Sequence, residues 1–322
     1  MNILVTGGAG FIGSHTAKEL CRRGHHVVIV DDFNDYYDPQ LKEDRVQVLL
    51  KGLDIPVHRI DIRDYSALER VFGQYHFDAV CHLAARAGVR ASLEHPRLYQ
   101  EVNVGGTTNM LELSVRSGVG RFVFASSSSV YGNNKKLPFS EDDPVDHPIS
   151  PYAATKKACE LMAYSYHHLY HLPVVGLRYF TVYGPWGRPD MALFKFTRAI
   201  VEGTPIEVYN KGDMRRDFTY IDDIVLGTVA ATELSDREYH VLNLGNNHTE
   251  QLTEFITIIE NEVGKTAKKI YKDIQPGDVP ATSADITKAR ELLGFGPKTR
   301  IQEGIPRFIE WYQSSYQAAL SN

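Results

Sequence analysis

The first half of the chain alternates short apolar runs with longer amphipathic stretches: NILVT, then 11–23; HVVIV, then 39–51; VHRID, then 64–73; DAVCHLA, then 93–117; and RFVFASS, then 150–171. The runs are rich in β-branched residues and almost free of polar positions, as strands buried on both faces must be. The stretches between them carry helical periodicity. This rhythm predicts an α/β class, a doubly wound parallel sheet with helices on both faces. A further strand, LPVVGLRYF, follows the last helix, for which Ser150 is the expected N-cap with Pro151 in the first turn. Beyond about residue 180 the chain turns to Pro, Gly, aromatic residues and shorter elements, which predicts a smaller second domain. Residues 222–246, with the apolar helix IVLGTVAATEL and the strand VLNLG, look sheet-associated again. The expected division is therefore interleaved: 1–180 plus about 222–246 as the larger domain, about 181–221 plus 247–322 as a smaller C-terminal one. The carboxyl end reads as an amphipathic helix, GIPRFIEWYQSSY.

A glycine turn adds chemistry to this frame. TGGAGFIGS satisfies G-x-x-G-x-x-G through Gly7, Gly10 and Gly13, between the first strand and the first helix. Asp31 and Asp32 end the second strand, eighteen residues beyond Gly13. Such glycines permit a tight turn and close backbone approach, the helix N-terminus offers free N–H groups to a pyrophosphate, and an acidic residue on the second strand accepts from an adenosine ribose. A carboxylate there repels a 2′-phosphate, so the expected fold is Rossmann-type and the expected cofactor is NAD rather than NADP. The bland alternative is a glycine turn that serves packing alone, which leaves the acidic pair and the strand rhythm as coincidences.

A second constellation lies further on. In SPYAATKK, Tyr152 and Lys156 stand four apart on a predicted helix and share one face. A phenol is a poor base at neutral pH, and a neighbouring ammonium favours its phenolate. Tyr152 becomes the candidate acid/base and Lys156 its electrostatic partner; the alternative is a solvated helix face. The preceding strand ends in four serines, Ser126–Ser129, at the carboxyl end of a parallel strand, where ligands bind in open sheets.

Together TGGAGFIG, Ser127 and Tyr152-x-x-x-Lys156 resemble the extended short-chain dehydrogenase/reductases that act on nucleotide sugars, over the whole chain. The resemblance implies a catalytic triad of Ser127, Tyr152 and Lys156. It also implies cofactor contacts from Gly7, Gly10, Phe11, Ile12, Gly13, Asp31, Asp32, Asp61, Ile62, Leu83, Ala84, Ala85, Asn103, Tyr152 and Lys156. A homodimer is implied as well, built as a four-helix bundle from helices near 103–117 and 152–170. Dehydratases and decarboxylases of this family carry an acidic residue in the three positions before VYG; here these are Ser127, Ser128 and Ser129, which steers the reading toward simple epimerisation. RYFTVYGPWGRPDMALFKFT resembles the UDP-glucuronate 4-epimerases, with Thr181 and Val182 where UDP-galactose 4-epimerases have Asn-Pro. The implied reaction converts UDP-glucuronic acid to UDP-galacturonic acid through a transient 4-keto intermediate. The resemblance implies that Ser128, Ser129 and Thr181 hold the sugar carboxylate, and hydrogen bonds there are expected to keep that intermediate from losing CO2. Further implied substrate contacts are Tyr152, Tyr179, Arg188, Tyr209 near uracil, and Arg216 with Asp278 at the diphosphate and uridine hydroxyls. Gln275 stands where UDP-galactose epimerases place an arginine. The alternatives are a 4-epimerase of neutral or N-acetylated UDP-hexoses, and a non-catalytic NAD-sensing protein on the same fold.

Composition narrows the partners. A formal charge of −5 and the absence of a Lys/Arg-rich block argue against a nucleic-acid or anionic-membrane partner. Three widely spaced cysteines without a CxxC read as reduced thiols, and no run approaches the roughly 18–20 apolar residues of a membrane span. The expected location is the cytoplasm. The histidines of HHLYH, His167, His168 and His171, read as a helix surface and not as a metal site, because no acidic third ligand is in register. NNKKLPFSEDDP reads as a solvated loop near the site, Trp186 and Trp311 as packing residues. Phe194 and Phe196 fit either the nucleotide pocket or the core.

Overall fold

The computed structural model describes residues 1–275 and 277–317. Strand β1 (Asn2–Thr6) leads into α1 (Phe11–Arg22), and β2 (His26–Asp31) into α2 (Gln40–Asp44), which continues as a wider helical turn to Leu49. Strand β3 (Val57–Arg59) leads into α3 (Tyr65–Gln74). Strand β4 (Ala79–His82) is followed by α4 (Val89–Glu94), α5 (Pro96–Tyr99), a wide turn at Gln100–Gly105 and α6 (Gly106–Arg116). The single helix expected over 93–117 is thus broken, with Pro96 opening a new segment after His95. Strand β5 (Arg121–Ser127) passes through a tight turn at Ser128–Tyr131 to α7 (Pro151–Tyr170), which precedes β6 (Val174–Tyr179). Ser150 caps α7 by accepting from the Ala153 N–H at 3.1 Å.

Then come β7 (Thr181–Tyr183), α8 (Ala192–Glu202), β8 (Ile206–Tyr209), β9 (Arg215–Arg216), β10 (Phe218–Tyr220), α9 (Ile221–Glu233) and β11 (Tyr239–Leu244). They are followed by β12 (Glu250–Gln251), α10 (Leu252–Val263), β13 (Lys269–Lys272), α11 (Thr287–Leu293) and α12 (Ile301–Trp311). The main sheet has seven parallel strands in the order β11-β6-β5-β4-β1-β2-β3. Alternate residues of β1 explain its uninterrupted apolar run: Ile3 and Val5 face a layer with Leu20 of α1 and Ile224 of α9, while Leu4 faces Leu68 of α3 and Met110 of α6. Both faces are covered, so no position of the strand can be polar at low cost. The strand order reverses between β1 and β4, and their carboxyl ends open the crevice where ligands bind in such sheets.

Strand β11 joins this sheet beside β6, from Tyr239 against Val174 to Leu244 against Tyr179. Three two-stranded sheets, β7 with β10, β8 with β13 and β9 with β12, build the remaining layer over the crevice. Trp186 and Trp311 pack ring to ring at 5.2 Å, and Phe194 is buried against Phe308 and Tyr312. The NNKKLPFSEDDP segment departs from a solvated loop. Phe139 is buried and stacked on Tyr131 at 4.7 Å, and its backbone bonds Ser283 and Asp285, so an apolar side chain nails the polar run down. His167 bonds the Leu172 carbonyl and His171 closes α7 in the left-handed conformation. Among the described residues no group of three or more His, Cys, Asp or Glu could hold a metal, and no helix is long and apolar enough to cross a membrane.

Candidate active site

The glycine turn owes its shape to what a side chain would strike. Gly7 has φ +69°, and a Cβ there would lie 2.7 Å from the Ala84 backbone nitrogen; at Gly13 it would lie 2.0 Å from the Gly7 carbonyl oxygen. Gly10 caps α1 without a side chain over the helix end, and the first turn holds no acidic residue. The first N–H to bond back is that of Ser14, to the Gly10 carbonyl, which leaves those of Phe11, Ile12 and Gly13 directed at the crevice. Asp31 is buried, accepts from the N–H groups of Ala9 at 3.0 Å and Phe33 at 2.9 Å, and has its carboxyl raised by burial.

The turn forms one end of a cavity of about 980 Å³. Of the sequence-predicted residues, Gly7, Gly10, Phe11, Ile12, Gly13, Asp31, Asp32, Ile62, Leu83, Ala84 and Ala85 line it, and so do Ser127, Ser128, Ser129, Tyr152 and Lys156. Tyr179, Thr181, Arg188, Tyr209, Arg216 and Asp278 line the other end, and Phe196, unlike Phe194, also reaches it. Two expected cofactor residues do not. Asp61 turns to a bidentate pair with Arg63, at 2.6 Å for the shorter contact, and Asn103 is buried, its amide spent on the Arg86 backbone and the Thr155 hydroxyl. Asn103 therefore shapes the wall from behind.

At the centre, Lys156 donates to the Ala125 carbonyl at 2.7 Å and its Nζ lies 6.0 Å from the Tyr152 ring centre. Tyr99 meets the Tyr152 ring edge-on at 6.2 Å and donates to the Ala87 carbonyl, which fixes the ring's orientation. Ser127 ends β5 and caps the following turn; its Oγ accepts from the N–H of Ser129 at 3.2 Å and from the Ser129 hydroxyl at 2.9 Å. Ser129 is thus committed to Ser127, whereas the hydroxyls of Ser128 and Thr181 have no partner among the described residues. His82, behind Lys156, lies between the hydroxyls of Thr6 at 2.7 Å and Thr107 at 3.1 Å. Burial, reinforced by the Lys156 cation, pushes it down to about 3, so the ring is neutral.

Two cations of the second half are paired with carboxylates. Arg188 forks onto Asp190 at 2.9 and 2.5 Å and lies over the Tyr36 ring; Arg216 donates to Asp278 at 2.9 Å. Burial raises the Asp190 carboxyl, yet the Arg188 guanidinium outweighs it and holds the group below the usual carboxylate range. Arg90 stacks on the Tyr209 ring at 4.7 Å and reaches within 4.0 Å of Asp278. Sequence reasoning missed Tyr36, Arg86, Arg90, Asp190 and Lys195, all lining the cavity. The Arg-x-Asp spacing of Arg188 and Asp190 was visible; nothing in the chain order marked the others. It also left Ser126 without a role. Ser126 points away from Ser127 and donates at 2.7 Å to Glu160 of α7, which takes both prongs of Arg178 from β6 at 2.8 and 2.9 Å.

A dinucleotide turn, a Tyr/Lys pair at a serine-tipped strand and a facing basic half define a nucleotide-dependent enzyme of the short-chain dehydrogenase/reductase kind. Residues 3–245 match the family model described as the NAD dependent epimerase/dehydratase family, and the chain belongs to that family. It is 49% identical to Protein CapI of Staphylococcus aureus, over 98% of this chain and 100% of that protein. It is 47% identical to a UDP-glucuronate 4-epimerase of Thermodesulfobacterium geofontis, over 98% and 97%. It resembles the crystal structure of UDP-glucuronic acid 4-epimerase from Bacillus cereus in complex with UDP-glucuronic acid and NAD, with a TM-score of 0.91 and 37% identity over 97% and 99% of the two chains. NAD is the cofactor of this family, and the residues present fit it: the cradle that a Cβ at Gly7 or Gly13 would fill, three free N–H groups for a pyrophosphate, and an acidic end to β2.

Proposed function

We propose that this chain converts UDP-glucuronic acid to UDP-galacturonic acid by 4-epimerisation, retaining the carboxylate. One observation carries it. The cavity that holds Tyr152 and Lys156 also presents the unpartnered hydroxyls of Ser128 and Thr181, and no acid stands at 128 or 129. The likeness to relatives named for this activity supports the same substrate. When bound, NAD supplies a reversible acceptor of hydride. Tyr152 takes the proton of the sugar 4-hydroxyl and gives it back, Lys156 stabilises the phenolate, and Ser127, whose own proton is free while its oxygen accepts from Ser129, bonds the oxygen at C4. A 4-keto uronic acid is a β-keto acid, which loses CO2 when the bond to its carboxylate aligns with the carbonyl. Ser128 and Thr181 hold that carboxylate out of alignment, and Arg188, Arg216 and Asp278 take the nucleotide diphosphate and ribose.

The same assignment makes 1–180 with about 222–246 the cofactor domain and about 181–221 with 247–322 the sugar-nucleotide domain, in a cytoplasmic homodimer joined through α6 and α7. Incubation with UDP-glucuronate, UDP-glucose and UDP-N-acetylglucosamine, followed by separation of products, tests it. The expected product is UDP-galacturonate, and conversion of the neutral sugars alone would overturn the substrate. Replacing Ser128 and Thr181 together by Ala is expected to divert part of the flux to a decarboxylated pentose. An unchanged partition removes these hydroxyls from carboxylate control.

A further inference from the structure

Arg45, at the end of α2, is 0% exposed and faces no carboxylate. A buried guanidinium without a counter-charge is costly, and it persists only where its donors are all used. Here they are. One NH1 donates to the Ala9 carbonyl at 3.1 Å and to the Tyr37 hydroxyl at 2.7 Å; Nε and NH2 both donate to the Trp186 carbonyl, at 3.0 and 2.7 Å, and NH2 also reaches Gly187. The two ends of this fork belong to opposite halves of the cavity. Ala9 sits inside the glycine turn and is held from its other side, N–H to Asp31. Trp186 has φ +62°, a left-handed conformation unfavourable for a bulky residue, and lies two residues before Arg188. The next tyrosine completes the link, since Tyr36 lies under the Arg188 guanidinium.

We propose that Arg45 is a positioning residue that joins the glycine turn and the Gly184–Asp190 loop into one rigid body, so that the cofactor and the sugar nucleotide meet at a fixed offset. It rests on the assignment above only in taking the two halves of the cavity for a dinucleotide and a UDP-sugar. Arg45 touches neither ligand; its loss is felt by both. The tests are Arg45→Lys, which keeps the charge but cannot fork, and Tyr37→Phe, which leaves the guanidinium in place and removes one acceptor. NAD retained through gel filtration is quantified after release, and UDP binding is followed by calorimetry, both well below the unfolding temperature. For Arg45→Lys we expect NAD and UDP affinities each to fall about ten-fold, KM for the UDP-sugar to rise in parallel, and kcat at saturation to move little; Tyr37→Phe should shift the same quantities in the same direction, less far. A lower unfolding temperature with NAD retention and UDP affinity unchanged in both variants would reduce Arg45 to a stability element and overturn the proposal, as would weakening of one ligand alone. Both binding readouts need no turnover, so a wrong substrate assignment would show separately, as an unaltered enzyme that binds NAD and UDP yet leaves UDP-glucuronate unconverted.

Discussion

Glu160 is buried at 2% exposure with Arg178 at 3%. Burial alone would raise its carboxyl, but Arg178 and the Ser126 hydroxyl hold it below the usual range. Removing one member of such a pair strands the other charge, so Glu160→Gln is expected to cost about 3–5 kcal/mol in denaturant unfolding, against about 1 kcal/mol for Ser126→Ala. His82 gives the molecule an acid limit. Its folded-state value of about 3 lies below the 6.5 of an unfolded histidine, so the unfolded chain takes up the proton first and stability drains away as pH falls from about 6.5 toward 3. At pH 5 this amounts to about 2 kcal/mol. Unfolding curves at pH 7.5 and 5 should therefore lie about that much closer together in His82→Gln than in the parent, and equal spacing would show that His82 titrates normally. Neither residue was legible in the chain. Glu160 and Arg178 meet across a helix and a strand, and a histidine at the end of an apolar run does not disclose that two threonines bracket it.

At the scale of elements the chain was far more open to reading, for a physical reason: the middle of a strand covered on both faces must be apolar, and Ile3–Val5, Val27–Val30, Ala79–Cys81 and Phe122–Ala125 of β1, β2, β4 and β5 are. The glycine turn was legible on the same terms, since a Cβ at Gly13 has no space. Gly13→Ala should lower NAD content by more than about ten-fold, measured by nucleotide release, because the turn must open to clear the Gly7 carbonyl. The break lies between α4 and α5, at His95, where the residue before Pro96 leaves the helical conformation; the reading of one helix over 93–117 passed over that proline. The anchoring of the 133–144 loop was hidden, because one phenylalanine in a polar run carries little weight beside its charged neighbours. The basic wall of Arg86, Arg90 and Lys195 depends on how loops fold back over the crevice, which no local pattern records.

For the molecule as a whole, α7 turns a face of Ala154, Leu161 and Ser165 outward, and Leu161 and Leu169 are 57% and 63% exposed. If two copies bury this face, Leu161→Lys should convert a dimer to a monomer by light scattering; an unchanged mass would place the contact elsewhere. The seven-stranded order also bears on how the protein comes into being. Strand β11, the partner of β6, is made some sixty residues after it, once the whole segment carrying Arg188, Tyr209 and Arg216 has been synthesised. A nascent chain with only its first 180 residues outside the ribosome bares the β6 edge, with unpaired backbone groups along an apolar strand. Translation must reach residue 244 before that edge can be sealed, so a pause or premature stop between the two strands would leave a sticky fragment for chaperones rather than half an enzyme.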